Sequence, residues 1–524
     1  MGSGRIFAMP ASPFRFVPVV ASLAVAGLLA SCAGTPPGSE GTMPAGDGNA
    51  LAMANRVSWG VNPSLMRAVD REGAPAWLQA QLHPHGDEDL PPAIAQRIAG
   101  FTVSQQLLPQ LAADFERRRR EMDATRDDVA KKTAQEAYQR DLTRVAREAA
   151  QRSLLRDVYS HHQLQEHMTW FWMNHFSVHQ YKANLRLLVG DYEDSAIRPH
   201  ALGHFRDLVR ATLRHPAMIR YLDNEQNAAG RINENYAREL LELHTLGVDG
   251  GYSQGDVQEL ARVLTGVGVN FSDNTPKVRD DRRGDYVRDG AFEFNPMRHD
   301  YGNRTVLGHA IRGRGLAEVD EVVDVLCRHP ATARFVSRKL AAFFVADDPS
   351  PALVARMAQR FIDTDGDIAE VLATLFASSE FSASLGHKFK DPAHYVVSAV
   401  RFAYDERPIL NGNPMVDWLN RLGEGYVNRQ TPDGYPMTQA AWASSGQMMT
   451  RFEVARSIAG GSAGLFRVDG ATADTPAFPR LANALYYSQV EGTLGPATRA
   501  ALEAAASPQE WGALLLASPE FMHR

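Results

Sequence analysis

The chain has little cysteine, two residues in 524. A disulfide scaffold is therefore excluded, and stability must come from a hydrophobic core. It also lacks charge of one dominant sign. There are 55 Lys and Arg against 61 Asp and Glu, a formal net charge of −6, which excludes a polybasic nucleic-acid binder. No GxGxxG, phosphate-loop, GxSxG or zinc-finger spacing occurs, so the usual dinucleotide, nucleotide and serine-hydrolase motifs are missing. What is present is a 44% hydrophobic, 22% charged composition, ordinary for a globular protein.

The N-terminal stretch lacks acid altogether: no Asp or Glu precedes Glu40, while Arg5 and Arg15 lead into an apolar run from Phe16 to Leu29. That is the basic and apolar layout of a secretory signal, and it is too short for a membrane span of about 20 residues. The run ends in Leu29-Ala30-Ser31-Cys32, which resembles the bacterial lipobox. The expectation is a signal at 1–31, lipid attachment at Cys32 and a flexible Gly/Pro/Ser-rich tether over 32–50. Ala33, rather than Asp, after the lipidated Cys implies the outer membrane, with the chain facing the periplasm or the surface. Removal of the leader takes away two positive charges and no acid, so the mature net charge is −8. Cys327 lies in an apolar helical stretch and reads as a small buried hydrophobe.

From Leu51 onward helical periodicity dominates. The fold expected is mainly α: one large multi-helix domain over 51–524 with a small β-hairpin insert near 268–312. Residues 112–150 interleave both charge signs at helical neighbour spacing, for example Glu136 with Arg140, and predict a long solvated helix or hairpin rather than a nucleic-acid surface. Two short echoes, Arg-His-Pro-Ala at 214 and 328 and Leu-Phe-Ala-Ser-Ser-Glu-Phe at 375 against Leu-Leu-Ala-Ser-Pro-Glu-Phe at 515, predict shared helix-start chemistry. Asp363-Thr364-Asp365-Gly366-Asp367 imitates a calcium loop, but position 6 is Ile368 rather than Gly, and Asp367 suits a helix cap better.

Three stretches could carry chemistry. In Trp170 to His179 a continuous helix would place His175 and His179 four residues apart on one apolar face, a spacing that can hold a metal; two hydrogen-bonded core histidines are the plainer reading. In Asn233 to Gly247, Glu239 and Glu242 share a polar face one turn apart, suited to general acid–base work. His244 falls on another side and is set aside; the plainer reading there is a solvated face with an Arg238–Glu242 pair. At the insert, His299-Asp300 lies on a loop that can project both groups into a cleft, or can simply form a turn.

These stretches, together with His329-Pro330-Ala331-Thr332-Ala333-Arg334 through Phe343-Phe344-Val345, resemble one bacterial family, catalogued as domain of unknown function 1800. The resemblance runs from about residue 55 to the C-terminus. It implies an exported, mostly helical protein, often encoded beside a secreted sulfatase-like protein, and it brings no established reaction. The expected function is a cell-envelope lipoprotein acting as a metal-dependent, hydrolase-like enzyme on an envelope or extracellular polymer. His175, His179 and His299 would hold a divalent ion, and Glu239, Glu242 and Asp300 would be catalytic. The alternative is a non-enzymatic assembly lipoprotein holding a secreted sulfatase-like partner. Residues 112–150 and the aromatic loop of Tyr426, Tyr435 and Trp442 would then be its contact surfaces. Membrane contact would run through Cys32, and no nucleic acid is expected.

Overall fold

Proline and its immediate neighbours set where many helices begin. The computed structural model describes residues 47–272, 274–467 and 478–524. In it Pro216, Pro330 and Pro392 all stand at helix starts, where a fixed φ and a missing N–H cost nothing. The repeated His-Pro-Ala has a shared reason. Nδ1 of His215 accepts the N–H of Ala217 at 3.1 Å, and Nδ1 of His329 accepts that of Ala331 at 3.2 Å. The second echo is a cap as well: the hydroxyls of Ser378 and Ser518 accept the N–H of Phe381 and Phe521. Asp367 caps its helix through the N–H of Glu370 at 3.1 Å, so the calcium-like run is a helix start.

The described residues form a mainly α fold with two small sheets. Ten helices position the groups discussed below: α1 (Pro63–Glu72), α2 (Ala74–Leu82), α3 (Leu108–Ala124), α4 (Asp128–Tyr159), α5 (Gln163–His175), α6 (Phe205–Arg214), α7 (Asn235–Glu239), α8 (Leu316–Arg328), α9 (Pro330–Phe344) and α10 (Pro392–Tyr404). The charged region is the helix pair α3–α4, tied by Arg118 to Asp141 at 2.6 Å. Beyond it α4 turns inward: Leu154, Leu155 and Val158 are core residues. The helix α10 is buried along its whole length, which makes it the axis of the core.

The insert is two sheets rather than one hairpin. Strands β1 (Val267–Val269), β2 (Val287–Asp289) and β3 (Phe292–Phe294) form an antiparallel sheet in the order β1-β3-β2, with Val267 and Val287 both opposite Phe294. Strands β4 (Arg304–Val306) and β5 (His309–Ile311) pair separately. Phe294, Val306 and Ile311 are buried and fasten the insert to the helices.

The described residues all fall in one compact unit. Among the described residues no helix is long and apolar enough to cross a membrane. The proposed signal and Cys32 lie outside the described residues. Cys327 is a free, buried thiol, and burial pushes its pKa well up, as expected of a packing residue.

Candidate functional site

The three stretches come to different ends. The helix α5 stops at His175, so His175 and His179 do not share a helix face. His179 sits half-exposed in the segment that follows, its ring 5.6 Å from that of Tyr181. The expected i, i+4 metal pair is therefore not formed. His299 is held elsewhere, among Thr265, Glu318, Phe294 and Tyr301. Its Nδ1 meets the Thr265 carbonyl at 2.7 Å, and Nε2 lies 3.0 Å from Oε1 of Glu318, with both side chains fully buried. Asp300 faces Arg304 at 3.0 Å and accepts the N–H of Gly302 at 3.1 Å; it is turn and ion-pair chemistry. None of the residues that hold His299 touches His175. Among the described residues no three His, Cys, Asp or Glu side chains come together in a way that could hold a metal ion. The set of His175, His179, His299, Glu239, Glu242 and Asp300 thus does not fit a divalent ion as one site.

The aromatic loop is corrected as well. Tyr426 and Trp442 are buried, with Tyr426 donating its hydroxyl to Glu193 at 2.6 Å and Trp442 its ring N–H to the Pro436 carbonyl at 2.8 Å. Their faces are spent inside the protein. Arg238 pairs with Glu234 at 3.3 Å and with Gln254 at 2.8 Å, not with Glu242.

His175 does meet other polar groups. After α7 the chain widens into a π turn, Leu240–Thr245, a feature that often marks functional sites. The wider turn leaves Glu239 and Glu242 half-buried on the outer side and swings His244 inward. The turn ends at Gly247, whose φ is +85° and whose missing Cβ would stand 2.8 Å from Phe335, so only glycine fits there. Phe335 and Lys339 lie one turn apart on α9. The fourth wall is the loop carrying Asp433, Gly434 and Tyr435. Asn174 fastens it with two hydrogen bonds, accepting the N–H of Tyr435 at 2.6 Å and donating to its carbonyl at 3.0 Å. Gly434 lets the loop come close: a Cβ there would stand 2.2 Å from the Asn174 carbonyl oxygen.

At the base of this site two imidazoles lie with ring centroids 6.2 Å apart. Nε2 of His175 lies 3.0 Å from the carbonyl of His244. A carbonyl only accepts, so Nε2 carries the hydrogen and Nδ1 presents a lone pair. That Nδ1 is buried with no partner, as is Nε2 of His244. Phe171, Phe176, Phe205 and Phe335 surround the His175 ring. Burial, and then the nearby Lys339, hold His175 far below the ordinary histidine pKa; the same causes bring His244 down to about 3. Both rings are neutral at physiological pH.

Lys339 is the cation that acts on both. It is half-buried, faces no carboxylate within ion-pair distance among the described residues, and has its Nζ 5.5 Å from the Phe335 ring. Burial lowers its pKa to about 8, opposed by the carboxylate of Asp433. Asp433 is itself committed to Arg429 at 2.9 Å and to Thr431. It also acts on Glu239, whose pKa is raised by burial first, then by Glu242, with Arg238 opposing. The environment thus pushes a carboxyl up and an amine down around Asp433, whose charge acts on both, a recurring signature of acid–base chemistry.

Sequence reasoning placed Glu239 and His175 in this site and missed Lys339, His244 and Asp433. A readable signal existed for Lys339: it lies one turn after Phe335 and one turn before Phe343, a lone cation within an aromatic stripe.

The neutral histidines carry a testable pH signature. The folded-state pKa of His244 is about 3, against roughly 6.5 unfolded. Between those values the unfolded chain binds a proton that the folded chain does not, so stability falls as pH falls. The slope from this one residue is about 1.4 kcal/mol per pH unit. His244→Gln is expected to lack that contribution, so its stability deficit relative to the parent shrinks as urea melts are moved from pH 6.5 towards 4. A deficit constant across that range would show that His244 is not held neutral.

A model of the family described as protein of unknown function, DUF1800, matches residues 52–523. No curated protein and no solved structure matches the chain.

Proposed function

The chain belongs to the DUF1800 family of proteins of unknown function, and from that premise we propose that it is an exported, lipid-anchored envelope protein with a metal-independent acid–base site. The reaction class is hydrolysis and the substrate an envelope or extracellular polymer. The observation that carries this reading is the Lys339 amine, with a pKa of about 8 and no ion pair among the described residues, whose charge acts on two neutral imidazoles and which shares the neighbour Asp433 with the raised carboxyl of Glu239. Burial moves each group from its ordinary value towards the protonation state its task requires. Lys339, where neutral, takes a proton from water as the water oxygen bonds to the substrate carbon. Glu239, where protonated, gives its proton to the leaving oxygen as the old bond breaks. His175 and His244 place polar but uncharged surface beneath the amine, which keeps an anion from pairing with it and restoring an ordinary lysine pKa. The lipid on Cys32 would hold this site at the membrane.

The experiment uses the intact chain purified from envelopes and incubated with isolated envelope polymer. Release of soluble fragments is expected to persist in excess chelator. Loss of release in chelator, restored by a divalent ion, would return the case to a metal enzyme. Release that is absent under all conditions would remove the enzyme reading.

A scaffold holding a secreted sulfatase-like partner is a second reading. It is supported by the exposed apolar side chains Leu107 and Val129 at the ends of the charged helix pair, 71% and 76% exposed. Co-purification of a single secreted protein that is lost on Leu107→Asp would favour it.

A further inference from the structure

A second cleft lies away from Lys339 and shares no lining residue with that site. It has a volume of about 720 Å³ and runs between α1, α2, the segment after α2, the α4–α5 connection and the end of α10. That size is typical of small-ligand sites. Its walls are partly apolar: Leu65, Leu90, Pro91 and Pro92 present surface, with the buried Trp77 and Val158 behind them.

The cations on its rim already face acids. Arg71 meets Glu72 at 2.9 Å, Arg67 lies 3.9 Å from Asp405 and 3.8 Å from Glu406, and His161 lies 3.2 Å from Asp89. The one deep cation, Arg401, donates to the carbonyls of Gly60 and Val158. An anionic ligand would find no free cation there. What remains available is a ring of planar polar groups. His83 and His85 are exposed and His162 is half-buried, and the side chains of all three have no partner within the described protein. The paired Arg, Glu and Asp side chains keep outward lone pairs and N–H groups.

The backbone is also unusual here. Asp89 and Asp405 are two of the eight non-glycine residues with positive φ among the described residues, at 49° and 50°. Such conformations cost of order 1–3 kcal/mol each and concentrate at functional sites. Asp405 is held in its conformation by accepting both the N–H and the hydroxyl of Ser64, at 3.0 and 2.6 Å. That bond docks the start of α1 and so fixes one wall of the cleft.

We infer that this cleft binds an uncharged, hydroxyl-rich ligand, a neutral oligosaccharide. The pairing of apolar patches with planar donor–acceptor groups matches a sugar's two kinds of surface, its C–H face and its hydroxyl edge. A free imidazole, and an Arg–carboxylate pair taken together, can donate hydrogen bonds to hydroxyls and accept them from hydroxyls. The inference does not rest on the acid–base reading, because it uses none of the residues at Lys339.

The test uses the intact chain in a polyoxyethylene detergent, which has no sugar headgroup. Saturation-transfer NMR and calorimetry are run with a linear neutral glucose hexasaccharide and with a hexauronate of the same length. Binding of the neutral sugar is expected, with at least tenfold weaker binding of the uronate. His83→Ala/His85→Ala removes two side chains with no internal partner, so folding is expected to be unchanged and affinity to fall at least tenfold. Glu239→Gln is expected to leave the affinity within twofold. Absence of neutral-sugar binding, preference for the uronate, or binding that survives the histidine pair but is lost in Glu239→Gln would each overturn the inference.

Discussion

Asp391→Ala is expected to destabilise the protein by about 3–5 kcal/mol, the cost of removing one partner from a buried charged network. Asp391 has three tasks. It caps α10 through the N–H of His394 at 2.8 Å, and both of its carboxylate oxygens lie 2.7 Å from Nδ1 of His394. Its charge also offsets Arg524, which is only 2% exposed. Burial opposes ionisation of Asp391, but His394 and Arg524 outweigh it and hold the carboxyl below its ordinary value. Beyond His394 stands His167. Its Nδ1 meets the Val57 carbonyl at 3.1 Å, so its Nε2 must accept, and both Arg524 and His394 approach that Nε2. Arg56 completes the hub through the carbonyls of Phe344, Ser384 and Arg524. Alanine at 391 would leave these cations facing one another with Glu424 as the nearest compensation. Asp391→Asn keeps a capping oxygen and should recover roughly 1 kcal/mol, the worth of a cap. Chemical denaturation at pH 7 measures both. A loss under 1 kcal/mol for the alanine variant would show that the network is not a unit.

Lys339→Met is expected to abolish fragment release by a factor on the order of 10²–10⁴, the usual contribution of a general base. Methionine keeps most of the buried stem and the contact with Phe335, so folding should be retained; removing an unpaired, half-buried cation does not strand a partner. Glu239→Gln keeps shape and hydrogen bonding but cannot donate a proton, and its loss should be of similar order. The pH profiles separate the two. The parent needs a neutral amine and a protonated carboxyl together, so its activity should fall as pH rises past about 8. The residual activity of Glu239→Gln, which needs only the amine, should instead rise towards about 8, and Lys339→Met should show no limb there. A Lys339→Met variant with parental activity would remove the amine from the reaction.

Some of this could be read from residues alone. Helix starts at Pro216, Pro330 and Pro392, the cap at Asp367 and the β insert near 268–312 are local features, and local rules place them. The expected metal pair is not formed, because the expectation rested on a helix running past residue 175. The pattern of residues there is helical, but α5 ends at His175. The π turn at Leu240–Thr245 defeated a count at 100° per residue: it kept the carboxylates on the outside, as expected, but brought His244 beside His175. Lys339 and the hub at Asp391 depend on contacts between distant segments, such as Arg56 with Arg524 and Asn174 with Tyr435. No periodicity carries that information.

The measurement closest to the central claim is the titration of Lys339 itself. Reaction of the folded chain with a small amine-specific reagent, followed by mass spectrometry of the peptide containing residue 339, gives its reactivity against pH. The amine is expected to titrate at about 8, well below the roughly 10.4 of an ordinary lysine, and to return towards the ordinary value in urea. A folded-state midpoint near 10.4 would mean that Lys339 has a counter-charge, and the acid–base site would lose its base.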